Sequence, residues 1–243
     1  NVTDMSGMFF YAESFNQPLN FNTENVTIMR GMFSFAKSFN QPLNFNTEKV
    51  IDMSNMFFEA KLFNHPLNFN TRKVETMYMM FHGAEAFNQP LDFNTKNVTN
   101  MSNMFCHTYS FNQTLNFTST SKVTDMCLMF WNARSFNQPL NFTSTENVTN
   151  MTYMFWGAEA FNQPLDFNTK NVTDMRCMFC CAGSFNQPLN FNTEKVTNMK
   201  HMFYRALSFN KSLNFTSTEN VTNMSSMFDY CPISEENKCS GAS

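Results

Sequence analysis

Seven cysteines and four histidines carry the most reactive side chains of this chain. Cys177, Cys180 and Cys181 fall within one helical turn, and His201 lies one repeat later in the column of Cys177. Thiolates and an imidazole are zinc ligands, so Cys177, one of Cys180 or Cys181, and His201 form a candidate metal site. No fourth ligand is evident, and cysteine is also a common small buried residue. Cys231 and Cys239 bracket a tail containing Pro232 and form a candidate disulfide that would pin the C-terminal end in an oxidising compartment. Two independent thiols are the alternative. His65, His82, His107 and His201 have no serine, cysteine or carboxylate at a nucleophile-and-base spacing, and the six glycines form no phosphate loop. The expectation is therefore a non-enzymatic chain with no cofactor.

The elements that would position these residues come from a repeat. A valine ahead of Thr-x-Met recurs from Val2 through Val26 to Val221, every 24 residues, or 25 where Phe-Thr-Ser-Thr replaces Phe-Asn-Thr at Phe117, Phe142 and Phe215. All but one of the 21 methionines fall in the columns of Met5 and Met8; Met79 is the exception. Of the 31 phenylalanines, 28 occupy the columns of Phe9, Phe15 and Phe21. Met5, Met8, Phe9 and Ala12 stand at i, i+3, i+4 and i+7, the stripe of a short helix, while Leu19-Asn20-Phe21 alternates as a half-buried strand does. A 24-residue unit cannot bury its own apolar face, so neighbours must share one core. The expected fold is a repeat solenoid of about ten rungs of 24–25 residues, a parallel β-sheet on one side and short helical turns on the other. It would form one domain over 1–228, nine full repeats and a partial tenth, followed by a C-terminal cap or tail over 229–243. Asparagine columns at Asn16 and Asn20 are expected to form amide ladders.

Composition narrows the function. Charged residues are 14% of the chain and net charge is −3, with no basic run, which gives a phosphate backbone little footing; nucleic acid is discounted. No stretch approaches the ~18 apolar residues of a membrane span.

Val2-Thr-Asp-Met-Ser-Gly-Met-Phe9 followed by Ser14-Phe-Asn-Gln-Pro-Leu-Asn-Phe21, repeated along the chain, resembles the BspA-like leucine-rich-repeat surface proteins, in the branch with the VTDMSxMFxxAxxFNQPL repeat. That branch usually has Trp at the positions of Phe21 and Phe45, and often Asp-Thr-Ser in place of Asn22-Thr23-Glu24, a departure in composition but not in register. The resemblance implies a leucine-rich-repeat-like solenoid and a surface-exposed protein of bacteria, protists or large DNA viruses, acting in adhesion or protein–protein interaction. It also implies an extracellular or cell- or particle-surface location, with any signal or anchor outside this segment.

Specificity in a repeat protein is written in its variable columns. Two such columns flank the methionine–phenylalanine stripe and supply the candidate binding residues Phe10, Tyr11, Phe35, Phe58, His82, His107, Trp131, Trp156, Tyr204 and Arg205. Exposed aromatic rings bury large area at small entropic cost and suit a protein or glycan partner; sealing the flank of the stripe is the plainer alternative. Fourteen Asn-x-Ser/Thr sites, among them Asn25, Asn97, Asn112, Asn141, Asn147, Asn171 and Asn214, are candidates for glycosylation in a secreted setting, although the repeat produces most of them. The leading expectation is a surface scaffold that holds a partner along its variable face. The rival is a structural subunit of a fibre or coat, self-assembling through an open first rung that has no polar cap. The threonine columns of Thr3 and Thr23 add ice binding as an outsider.

Overall fold

The computed structural model describes residues 2–142 and 144–241. Asn1, Thr143 and the last two residues of the tail, Ala242 and Ser243, lie outside the described residues. The 24- or 25-residue register is written into the backbone: equivalent residues of successive repeats pair as isolated parallel bridges, Asp4 to Ile28, Ile28 to Asp52, and onward to Asn198 with Asn223.

The expected leucine-rich-repeat-like solenoid, with a parallel sheet facing short helices, is not what forms. Among the described residues there is no strand, no sheet and no α-helix; the regular element is one 3-10 helix, Glu235–Asn237. The bridges stay single because each is hemmed in. On one side Val26 N turns back to Thr23 O, and on the other the residue three places past the bridge has a left-handed backbone, as Gly31 does at φ 59°. The Leu-Asn-Phe segment bridges only at Leu91 to Leu115 and Leu189 to Leu213, beside two of the repeats carrying the extra threonine.

The helix fails for a related reason. An α-helix needs i→i−4 bonds throughout. Here Met8, Phe10 and Ala12 donate to the third residue back, while Met5, Gly7, Phe9 and Tyr11 donate to carbonyls of the next repeat. Alternate amides thus point along the stack, and two residues per repeat, in the columns of Gly7 and Tyr11, adopt φ near 60°. The i, i+3, i+4, i+7 stripe still faces inward: Val26, Met29, Met32, Phe33, Ala36 and Phe39 are fully buried, as are their equivalents along the core. The hydrophobic period is obeyed, but by a series of tight turns.

Side chains complete the hydrogen bonding between repeats. Asn16 Oδ1 accepts the Asn40 amide at 2.9 Å, and the ladder runs unbroken to Ser234 N on Asn210. This asparagine column is the expected amide ladder. Among the described residues the Asn20 column bonds side chain to side chain at Asn116 with Asp92 and at Asn214 with Asn190. Hydroxyls in the Thr23 column donate to a carbonyl of the next repeat, and Thr23, Thr47, Thr71 and Thr95 are buried. The column is buried from Thr23 through Thr193. The Thr3 column remains exposed over the six repeats from Thr99 to Thr222.

Candidate functional site

The site follows from the two left-handed positions. Because Phe10 N closes a turn on Gly7 O, the side chains of these two columns flank a shallow trough, and the pattern repeats down the stack. Four consecutive repeats line one stretch of it, a groove of about 530 Å³. The Gly7 column contributes Leu128, Tyr153, Cys177 and His201, and the Phe10 column contributes Trp131, Trp156, Cys180 and Tyr204. A second stretch of about 460 Å³ opens where Gly7, Gly31 and Ser34 leave room beside Phe10, Phe35 and Phe58.

Most of the candidate binding residues are in one continuous ribbon of rings. Tyr11 stacks on Phe35 at 4.3 Å, Phe35 meets Phe58 at 5.1 Å, and Phe58 stacks on His82 at 4.8 Å. His82 lies 5.7 Å from His107, His107 lies 5.1 Å from Trp131, and Trp131 stacks on Trp156 at 4.9 Å with their planes 6° apart. Phe10 joins at the start, edge-on to Tyr11. The ribbon breaks at the repeat holding Cys180 and Cys181, then resumes as Tyr204 and Tyr230 with the Arg205 guanidinium 5.4 and 5.3 Å from their centroids. Tyr204 and Arg205 thus stand apart from the other eight.

Beside the ribbon, the column of Glu13 pairs charges between repeats: Lys37 with Glu13 at 2.8 Å, Lys61 with Glu85 at 2.6 Å, and Arg134 with Glu159 at 3.4 Å. Arg134 also lies over the Tyr109 ring. This edge neutralises itself and leaves the groove apolar.

Sequence reading chose the columns of Phe10 and Tyr11 and passed over that of Gly7, so Leu128 and Tyr153 went unnoticed. The signal was there: this column runs Gly, Gly, Asn, Met, Asn, Leu, Tyr, Cys, His, Ser, as variable as the two chosen. It was absorbed into an assumed helix. Conversely, the Tyr11 column is partly closed, since Gly83 lies under the Glu59 side chain and Gly157 under Asn132.

The thiols are placed differently from the expectations. Among the described residues no group of three or more His, Cys, Asp or Glu could hold a metal ion, so Cys177, Cys180, Cys181 and His201 do not form a zinc cluster. The Cys180 and Cys181 sulfurs lie 3.7 Å apart. Cys231 and Cys239 are both free; Cys231 donates to Phe209 O at 3.4 Å, and Cys239 is buried. Among the sequons, Asn97, Asn147 and Asn171 donate their Nδ2 atoms to carbonyls of Arg72, Ser121 and Glu146, so these amides already tie repeats together. Asn112 belongs to the Asn16 ladder, Asn25 accepts Lys49 Nζ, Asn214 donates to Asn190, and Asn141 is exposed.

No curated protein and no solved structure matches this chain. A family model described as a Mycoplasma protein of unknown function, DUF285, matches it three times in tandem, over residues 1–92, 67–166 and 141–239. The matches span nearly the whole array, at a coarser grain than the 24-residue unit. The chain is a tandem-repeat protein belonging to the DUF285 family.

Proposed function

We propose that this chain is a non-enzymatic repeat scaffold on a cell or particle surface that holds a protein or glycan partner along the groove between the Gly7 and Phe10 columns. The observation that carries this reading is the stacked, half-buried pair Trp131 and Trp156 lining an apolar groove. Stacked indoles over an open trough offer large contact area at low entropic cost, and such residues dominate binding energy where they occur. The family match supports a repeat scaffold and leaves the partner to experiment.

The chain contains two tryptophans, both in this groove, so intrinsic fluorescence reports on its occupancy directly. Titration with a panel of oligosaccharides and surface-protein ectodomains is expected to find a partner that shifts or quenches this emission. Trp131→Ala with Trp156→Ala should weaken that partner by about tenfold or more, a loss of at least about 1.4 kcal/mol. A partner that binds equally well to the double variant would place recognition elsewhere. A mass that grows with concentration in light scattering, with no groove ligand found, would replace this reading with assembly.

A further inference from the structure

The aromatic ribbon is interrupted by a repeat in which three of the ring and turn positions are thiols. Cys177 and Cys180 are the first and last residues of a four-residue turn closed by Cys180 N on Cys177 O at 3.2 Å. Such a turn holds its end Cα atoms within about 7 Å, close to the upper limit that a disulfide spans. Both residues line the groove, between Trp156 and Tyr153 on one side and His201 and Tyr204 on the other. They are 9% and 5% exposed, so their route to solvent is the groove itself.

The other cysteines are in a different condition. Burial first, then nearby acidic groups, push the Cys106 and Cys127 thiols up to about 12. Cys231 is raised by burial and already bonds to a carbonyl. The Cys177 thiol moves the opposite way: the neighbouring Cys180 thiol holds it down against burial, aided by Tyr153 and the positive charges of Arg176 and Lys200. When protonated it donates weakly to Lys200 O at 3.9 Å. Cys180 is raised, by the neighbouring Cys177 thiol and by burial. The two thiols shift in opposite directions, as an attacking and a resolving cysteine do.

We propose that Cys177 is a thiol–disulfide exchange site that takes an aromatic or apolar disulfide from the groove, with Cys180 as its resolving partner. The Cys177 thiolate attacks one sulfur of the incoming disulfide, forming a mixed disulfide and expelling one thiolate. Cys180 then releases its proton to solvent and attacks Cys177 Sγ, forming a Cys177–Cys180 disulfide and expelling the second. The incoming disulfide is the oxidant; it is reduced to two thiols as the two cysteines are oxidised. Cys181, 3.7 Å from Cys180, is the competing resolver. The chemistry is stoichiometric and independent of the scaffold function, since it needs the thiols and not a bound partner.

Dithionitrobenzoate, an aromatic disulfide with a coloured leaving thiolate, is the probe. The reduced full chain should release two thiolates in a fast phase, retain no aryl adduct in its intact mass, and yield a linked Cys177–Cys180 peptide on digestion. Cys180→Ser should release one and keep the adduct on Cys177, while Cys177→Ser should slow the fast phase by about tenfold or more. Peptide mapping of the unsubstituted chain needs no variant, and tryptophan emission checks that the serine variants fold. A fast thiol mapped to Cys181 or elsewhere, a stable aryl adduct on Cys177 in the unsubstituted chain, or no thiol faster than those of the urea-unfolded chain would each overturn the proposal.

Discussion

The imidazole of His82 lies against Phe58 and near His107, and its buried Nδ1 has no hydrogen-bond partner. Burial, with a smaller push from His107, lowers its pKa to about 4. His107 is lowered too, by burial first and partly restored by Glu59. An unfolded imidazole protonates near 6.5. Between about 6.5 and 4 the unfolded chain therefore binds more protons than the folded one, and stability falls as pH drops through that window, levelling off below it. Urea midpoints at pH 7 and pH 5 should show the loss. His82→Phe, which matches Phe58 in its own column, should remove most of it, with His107 supplying the remainder. Equal losses in both proteins would mean that His82 is not the buried neutral group described. None of this was legible in the residue string, where His82 was simply one member of a variable column.

At the scale of the repeat, the decisive element is the double turn that replaces the expected helix. Among the described residues, twenty positions in the Gly7 and Tyr11 columns take φ near 60°, and four of them are glycine: Gly7, Gly31, Gly83 and Gly157. A left-handed residue bearing a Cβ costs about 1–2 kcal/mol. That cost is offset because the conformation aims alternate amides at the next repeat, where each gains a hydrogen bond. At Gly157 a second demand applies, since a Cβ there would meet Asn132 Oδ1. Gly157→Ala should destabilise the chain by about 2 kcal/mol, from backbone strain and the displaced amide together. In an Asn132→Ala background the same substitution should cost about 1 kcal/mol, the backbone share alone. Urea unfolding of the four proteins measures the coupling; a coupling near zero would mean that Asn132 swings aside freely.

Over the whole molecule, two columns of phenylalanine rings run through the array. Rings in the Phe9 column stack at 5.3 to 5.8 Å from one repeat to the next, and each sits 4.1 to 4.5 Å from its Phe15-column partner where both are present. Contacts in such an array are between neighbours, so a break in the middle divides it. Phe130 touches Phe105, Phe136 and Phe155 and is fully buried. Phe130→Ala should cost about 3–5 kcal/mol and split urea unfolding into two phases, with tryptophan emission from the adjacent Trp131 leading circular dichroism. Phe9→Ala, at a partly buried ring stacked on Phe15 and Phe33 at the edge of the core, should cost less and leave a single transition. A single sharp transition for Phe130→Ala would show that the array unfolds as one unit despite its nearest-neighbour contacts.

The residue string by itself determined the register, the inward faces and the Asn16 ladder. A 24-residue period in Met, Phe and Asn leaves one alignment that stacks like on like, and burial follows the apolar columns whatever backbone carries them. The Phe10 and Tyr11 columns were also legible as the variable strip. Secondary structure was decided only in three dimensions, because the i, i+3, i+4, i+7 stripe fits both a helix and a run of tight turns. What separates them is whether amides bond within the repeat or to the next one, and that depends on a neighbour 24 residues away. The groove followed the backbone. Once the Gly7 column turned left-handed, Leu128, Tyr153 and Cys177 faced the Phe10 column across a trough, which placed Cys177 and Cys180 together in its lining.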